Sequence, residues 1–367
     1  MDTSKIFDYK SDWFQFFEGY LKNEYIEDEN LTKNKIKAHI IESNFETITK
    51  FAQGQPQIQL IKSKEKDFYN IILKEGSESY FLYVDTEDPR FWIIHNIEAQ
   101  ERIKNLIAKI FWRSYLQDKI YMSNQSMEKY WKTYCSDSLG ISLKFEQLFF
   151  NDLKEKPISS EVDEDIGFTL RFWPKRLNSM NYFLEKFRKI NLPISYKSLN
   201  YVVQDIDGEI LLKEDFYYDG GFTINKGKDF YSHIKLINLI RNDYSSKIKI
   251  VEDFRFDWSN SKGDLFIIEF NKTLDPSIIY NTLKSNFKKF RIYIFELYKE
   301  NDYTLFDCVD GHTGGQFNLQ IFNDKLYIKL KKDSCGNIVF RLFSNLQRYL
   351  SPNCKLNIDN QSHDLLS

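Results

Sequence analysis

Three residues in the carboxyl-terminal part of the chain have the side chains that a cysteine-dependent enzyme needs. Cys335 stands where a predicted strand passes through a tight loop into a predicted helix, and a thiol at the start of a helix has a lowered pKa. His312 and Asp310 would complete a Cys-His-Asp arrangement if the strands bring them together. A helix that is capped by Ser334 or Asn337, with Cys335 packed inside, explains the same residues. A hydrolase or transferase is therefore one functional hypothesis for this segment.

The same loop has the features of an anion-binding site. A helix begins with backbone N–H groups that have no partner within the helix, and these groups attract negative charge. Ser334, Gly336 and Asn337 lie at the predicted start of the helix. The basic residues that would surround the anion are Lys331, Lys332 and Arg341.

A strand with a basic face precedes this loop. Polar and apolar residues alternate strictly over 325–331, so Lys325, Tyr327, Lys329 and Lys331 would share one face while the leucines and the isoleucine between them face the core. Proteins that bind single-stranded nucleic acid use a basic face with an aromatic side chain for stacking. A solvated edge strand that is protected by lysines gives the same pattern. Further basic residues that would extend a nucleic-acid surface are Lys284, Lys288, Arg291, Lys332 and Arg341.

Common catalytic and metal-binding motifs are absent from the sequence. It contains no CxxC, HExxH, GxxxxGK[ST] or GxGxxG pattern. Cys308, His312 and Cys335 are the nearest set of zinc ligands, but an isolated Cys is usually a buried structural thiol. A metal-dependent nuclease would need Glu269 and Lys272 on one face of a strand, and their spacing puts them on opposite faces. We therefore predict neither a metal nor a cofactor.

The charge differs between the two halves of the chain. Residues 1–165 contain 22 basic and 29 acidic residues, a net charge of −7, whereas residues 166–350 contain 28 basic and 22 acidic residues, a net charge of +6. A polyanionic partner would therefore contact the second half. The sequence shows no leader peptide, no run of about 18 apolar residues and only dispersed cysteines, which predicts a cytoplasmic protein without a membrane span.

Hydrophobic periodicity predicts an α+β fold with mixed sheets. Helices are predicted around Trp13, Phe16, Phe17 and Tyr20, around Ile41, Phe45 and Ile48, and over 98–115 and 337–350. Strands are predicted over 68–73, 79–84, 91–95, 304–309, 316–322 and 326–330. Two strand–helix–strand units are predicted, one over 166–173, 176–190 and 199–203, the other over 265–270, 276–287 and 291–297.

A polar segment that ends in an acidic run predicts a boundary between two domains. Residues 1–150 would form an acidic α+β domain, 151–165 a linker, 166–350 a basic α/β domain and 351–367 a loose tail. The favoured function is a non-catalytic binding subunit of a bacterial complex, such as a nucleic-acid-processing or defence system. Nucleic acid would bind to the basic half and a protein partner to the amino-terminal half. The alternatives are the cysteine-dependent enzyme and a purely structural protein-interaction subunit.

Overall fold

Helices and strands both contribute to the fold, which confirms the predicted α+β class. The computed structural model describes residues 5–27, 35–97, 105–112, 114–134, 140–145, 168–172, 182–186, 195–257, 259, 262–300 and 303–358. The chain divides into two compact units. The first unit contains residues 1–120 and 200–245, and the second contains residues 121–199 and 246–367. The predicted linker, 151–165, lies outside the described residues.

The elements are numbered here in chain order. The strands are β1 (Lys37–Ser43), β2 (Ile58–Lys62), β3 (Phe68–Glu75), β4 (Glu78–Asp85), β5 (Phe91–Asn96), β6 (Gln117–Lys119), β7 (Gly140–Phe145), β8 (Phe168–Phe172), β9 (Ser195–Gln204), β10 (Ile210–Tyr217), β11 (Gly221–Gly227), β12 (Phe266–Glu269), β13 (Ile292–Lys299), β14 (Tyr303–Asp310), β15 (Gln316–Phe322), β16 (Lys325–Leu330) and β17 (Lys355–Ile358). The helices are α1 (Lys10–Glu27), α2 (Ile48–Gln53), α3 (Asn124–Tyr134), α4 (Phe230–Asp253), α5 (Pro276–Ser285), α6 (Phe287–Phe290) and α7 (Asn337–Tyr349).

In the first unit the strand order is β2-β3-β4-β5-β1-β11-β10, followed by residues 200–204 of β9, and β6 also pairs with β1. The predicted helix α1 and the predicted strands β3, β4 and β5 are confirmed. Trp13, Phe17 and Tyr20 lie on the buried face of α1, as their spacing predicts. Of the helix predicted over 98–115, only 105–112 and 114–115 are described, and Ala108–Trp112 form a π-helix.

The helix predicted around Ile41, Phe45 and Ile48 is wrong. Residues Lys37–Ser43 form β1, which pairs with β5 on one side and with β11 and β6 on the other, and α2 begins only at Ile48. Ile40 and Ile41 face opposite sides of the sheet, and both are 0% exposed. A strand that is buried on both faces has no alternating pattern, so a chance helical spacing of three apolar residues was the stronger signal.

The second unit contains a six-stranded sheet with the order β13-β14-β15-β16-β12-β17. Its strands pair antiparallel and not in the mixed arrangement that was predicted. The predicted strands β14, β15 and β16 and the closing helix α7 are confirmed. β12, α5 and β13 follow one another in the chain as predicted, but β12 and β13 are not neighbours in the sheet. Part of the predicted loose tail is the strand β17, because Leu356 and Ile358 are buried and β17 pairs with β12. Residues 359–367 lie outside the described part.

The two faces of this sheet have different environments. Phe306, Leu319 and Ile328 belong to the buried face, where the ring of Tyr280 from α5 stacks on Phe306 with 5.1 Å between ring centroids. On the opposite face, every side chain of β14, β15 and β16 is partly or fully exposed. We call this second side the open face. None of the described helices combines the length and the apolar character that a membrane crossing requires.

Candidate nucleic-acid interface

β16 presents its lysines on the open face, as the alternating sequence predicts. Leu326, Ile328 and Leu330 are 0% exposed, whereas the side chains between them are half-buried. β16 lies between β15 and β12, and it pairs with both along its length. The alternative explanation, an edge strand protected by lysines, is therefore wrong. These lysines lie in the middle of a sheet, where no edge needs protection.

Four aromatic side chains form a row across the open face. Tyr298, Tyr303, Phe322 and Tyr327 come from four neighbouring strands, β13 to β16. Successive ring centroids are 6.2, 5.4 and 5.2 Å apart, and the middle pair is stacked. We call these four residues the aromatic row. The Nζ of Lys325 lies 5.6 Å from the ring centroid of Tyr327, so positive charge lies at the β16 end of the row.

The basic side chains of this region differ in their contacts with other residues of the chain. A hydrogen bond with the Tyr327 side chain raises the pKa of Lys325. The Nζ of Lys329 lies 3.6 Å from the centroid of the Phe256 ring, and burial lowers the pKa of Lys329. Lys331 donates to Gln316 Oε1 at 2.9 Å and lies 3.8 Å from Asp307, and Lys332 lies 3.0 Å from Asp257. Much of the charge at Lys331 and Lys332 is therefore balanced locally.

The other predicted contact residues do not share the open face. Lys284 and Lys288 are exposed on α5 and α6, and α5 covers the buried face of the sheet. Arg291 is 6% exposed, and its Nη2 donates to Gly311 O at 3.2 Å. Arg341 is 0% exposed and donates to Asp310. The residues predicted to form one nucleic-acid surface therefore lie on both sides of the sheet, and Arg291 and Arg341 are interior residues.

The predicted anion site at the start of α7 is occupied by a carboxylate of the chain. The backbone N–H of Gly336 donates to Glu252 Oε1 at 2.9 Å, which supplies the negative charge that this helix end attracts. Ser334 and Asn337 are 0% exposed, and Ser334 Oγ donates to Gln316 O at 2.5 Å. These groups stabilise the loop and are not available to a ligand in this conformation, which corrects the prediction.

The structure brings Cys335, His312 and Asp310 together, but inside the protein. The Cys335 sulfur and a ring nitrogen of His312 lie within 4.8 Å of one another, and His312 Nδ1 lies 4.0 Å from Asp310 Oδ2. The second distance is too long for a hydrogen bond. The three residues are 5%, 0% and 1% exposed, and Asp310 accepts hydrogen bonds from His312 N, Thr313 N and Thr313 Oγ1. Asp310 is thus engaged in closing its own turn, and a substrate would need an opening to reach the thiol.

The similarity to known proteins extends over almost the whole chain. A protein-family model described as MJECL33-like protein matches residues 2–365. The chain belongs to the MJECL33-like protein family. A relative from Methanocaldococcus jannaschii, Uncharacterized protein MJECL33, is 28% identical over 354 residues, which cover 86% of this chain and 84% of the relative. The name of the relative assigns no activity.

In this member of the MJECL33-like family, a buried histidine–glutamate pair in the first unit was not found from the sequence. His233 Nδ1 lies 2.5 Å from Glu214 Oε2, and the rings of His233 and His95 are 5.5 Å apart. Burial raises the pKa of Glu214, and burial together with the neighbouring His233 holds the pKa of His95 well below its ordinary value. His95, Glu214 and His233 are far apart in the sequence, so no motif spacing predicts that they meet. In the aromatic row, Phe322 ends a predicted strand and Tyr303 lies one residue before another, but the sequence did not show that they meet.

Proposed function

We propose that this chain is a non-catalytic subunit that binds nucleic acid through the open face of the six-stranded sheet. The observation that carries the proposal is the position of Lys325, Tyr327 and Lys329 on a central strand. Lysines there do not protect an edge, and their aliphatic stems contribute nothing to the buried face. Two lysines that flank an aromatic ring on one exposed face suit a nucleic acid better than a simple anion.

The proposal is tested by two double variants with equal charge change on opposite sides of the sheet. Lys325→Glu/Lys329→Glu alters the open face, and Lys284→Glu/Lys288→Glu alters α5 and α6 on the helical side. We expect the first variant to lose at least tenfold in oligonucleotide affinity at about 50 mM salt, with a flatter salt dependence. The second variant should lose less than about threefold, because it retains the phosphate contacts.

Thermal unfolding of each variant is measured first, because Lys329 packs on the ring of Phe256. If the Lys329 change lowers the melting temperature, Lys325→Glu alone is used, since the Lys325 head group is at the surface. The proposal fails if the wild-type protein binds no oligonucleotide at low salt. It also fails if the variants of both sides lose affinity equally, because binding would then follow net charge and not this face.

The subunit role and the protein partner of the amino-terminal half are part of the same proposal. They rest on the acidic charge of residues 1–165 and on the predicted cytoplasmic location. Affinity purification of the full chain from its native host, with light scattering of the purified protein, tests whether a stable partner exists. A monomer that purifies alone and still binds oligonucleotide would refute the subunit role and leave the nucleic-acid role standing.

The cysteine-dependent enzyme is retained as a second candidate because Cys335 and His312 lie within 4.8 Å of one another. Its weakness is the burial of all three side chains and the engagement of Asp310 by its own loop. Reaction of the native protein with a thiol-directed reagent separates the two candidates. A catalytic thiolate reacts rapidly at neutral pH, whereas a buried structural thiol does not.

A further inference from the structure

We infer that the aromatic row is a stacking platform that makes the open face select single-stranded over double-stranded nucleic acid. The inference rests on the proposed function and adds the form of nucleic acid that is bound. It is carried by the geometry of Tyr298, Tyr303, Phe322 and Tyr327, which meet ring by ring across four strands.

The row has the spacing of an array on which several bases can stack. Neighbouring strands are about 4.8 Å apart, so one ring from each strand gives an unbroken line of aromatic side chains across the face. The measured centroid separations of 5.2–6.2 Å fit this arrangement. Tyr298 is 49% exposed, and Phe295, two positions before the bulge in the same strand, is 57% exposed. Such large aromatic side chains at the surface indicate a contact that covers them.

The charges on the open face indicate where the phosphates of a bound strand would lie. Lys325 and Lys329 lie on β16, at one end of the row, whereas Asp307 lies on β14 in the middle of the face. Lys331 lies 3.8 Å from Asp307, and Glu269 of β12 lies opposite Lys325, so both charges are partly balanced. Phosphates are favoured over β16, where Lys325 and Lys329 flank Tyr327, more than over β14. Bases that turn away from a backbone above β16 would lie over Tyr303 and Phe322.

Only an unpaired strand can use such a platform. In a duplex the face of every internal base is covered by its neighbours, so the rings of a flat sheet reach phosphates and groove edges but not base faces. In a single strand the bases can be turned out and stacked on aromatic side chains. Stacking tolerates any sequence, because every base has a π-face.

The test compares a labelled oligothymidylate of about 12 nucleotides with a duplex of the same length, a size in the range that one single-strand site covers. We expect the wild-type protein to bind the single strand at least tenfold more tightly. Tyr303→Leu/Phe322→Leu keeps apolar bulk but removes both rings, and it should lose at least tenfold for the single strand while duplex binding changes less than about twofold. Tyr303→Phe keeps the ring and should bind like the wild type.

Tyr231→Leu is the matched control, because Tyr231 is a surface aromatic residue, 64% exposed, in the first unit. It should leave both affinities unchanged. Equal binding of single strand and duplex, or normal single-strand binding by the leucine variant, would overturn the inference and leave the proposed function standing. Absence of binding to both probes would overturn the proposed function and the inference with it. Circular dichroism establishes that the leucine variant is folded, and the single change Phe322→Leu replaces it if it is not.

Discussion

Removal of the Arg341 guanidinium should destabilise the protein instead of weakening a binding surface. Arg341 donates through Nη2 to Asp310 and through Nε to Phe290 O at 2.8 Å, and both side chains of the ion pair are 0% exposed. In Arg341→Met the Asp310 carboxylate stays buried without its cation, and loss of one partner of a buried pair costs about 3–5 kcal/mol. Hydrogen bonds from His312 N, Thr313 N and Thr313 Oγ1 still hold the carboxylate. We therefore expect a loss of about 3 kcal/mol in the free energy of unfolding.

Urea unfolding, followed by tryptophan fluorescence, measures this loss. The double variant Arg341→Met/Asp310→Asn removes both charges and should recover at least half of it, because no unpaired charge stays buried. Lys284→Met, at an exposed position of α5, should change the free energy of unfolding by less than about 0.5 kcal/mol. If Arg341→Met keeps the wild-type stability but loses oligonucleotide affinity, Arg341 is a ligand contact and the assignment to the interior is refuted.

Three further expectations follow from buried or crowded positions. The pKa of His95 is held well below 6.5, so below about pH 6.5 the unfolded chain binds a proton at His95 that the folded chain does not bind. The free energy of unfolding should therefore fall as the pH drops below about 6.5, by at most about 1.4 kcal/mol per pH unit. In urea titrations at several pH values, His95→Gln should make this fall smaller. Gly227 has φ +144°, and a Cβ at this position would lie 2.5 Å from Leu211 O. Gly208 also has a positive φ, +82°, but a Cβ there would meet no atom within 4 Å. Gly227→Ala should therefore lower the melting temperature far more than Gly208→Ala. Cys335, 5% exposed, should resist alkylation in the native protein and react in denaturant, as read by peptide mass spectrometry; rapid native labelling would contradict its burial.

Local patterns were sufficient for the elements whose environment is simple. The strands β14, β15 and β16 alternate between a buried and an exposed face, and α1 has its apolar residues at helical spacing. α7 is buried on all sides, but its apolar residues still recur at helical spacing. These patterns depend only on neighbouring residues, so the sequence predicts them directly. β1 lacks any such pattern because both its faces are buried, and it was assigned to a helix.

The candidate nucleic-acid interface was predictable only in part. The alternation over 325–331 predicts which side chains share the face with Lys325, but not what lies beside the strand. β16 pairs with β12, and Ile328 lies opposite Phe266, which is distant in the sequence. Such long-range register is decided by the packing of the whole sheet. For the same reason the sequence did not show that Arg341 would be interior, or that the carboxylate of Glu252 would reach the start of α7.

The burial of these groups changes how strongly binding should depend on salt. The net charge of +6 over residues 166–350 suggests many phosphate contacts, but Arg291 and Arg341 are interior, and Lys331 is close to Asp307. Lys325 and Lys329 then supply about two phosphate contacts, which for a single strand corresponds to a slope of about −1.4 in a plot of log K against log salt. Affinity would come mainly from the aromatic row and would persist at moderate salt. A measured slope steeper than about −4 would mean that basic groups outside the open face carry the binding, and would contradict the placement of the strand over β16.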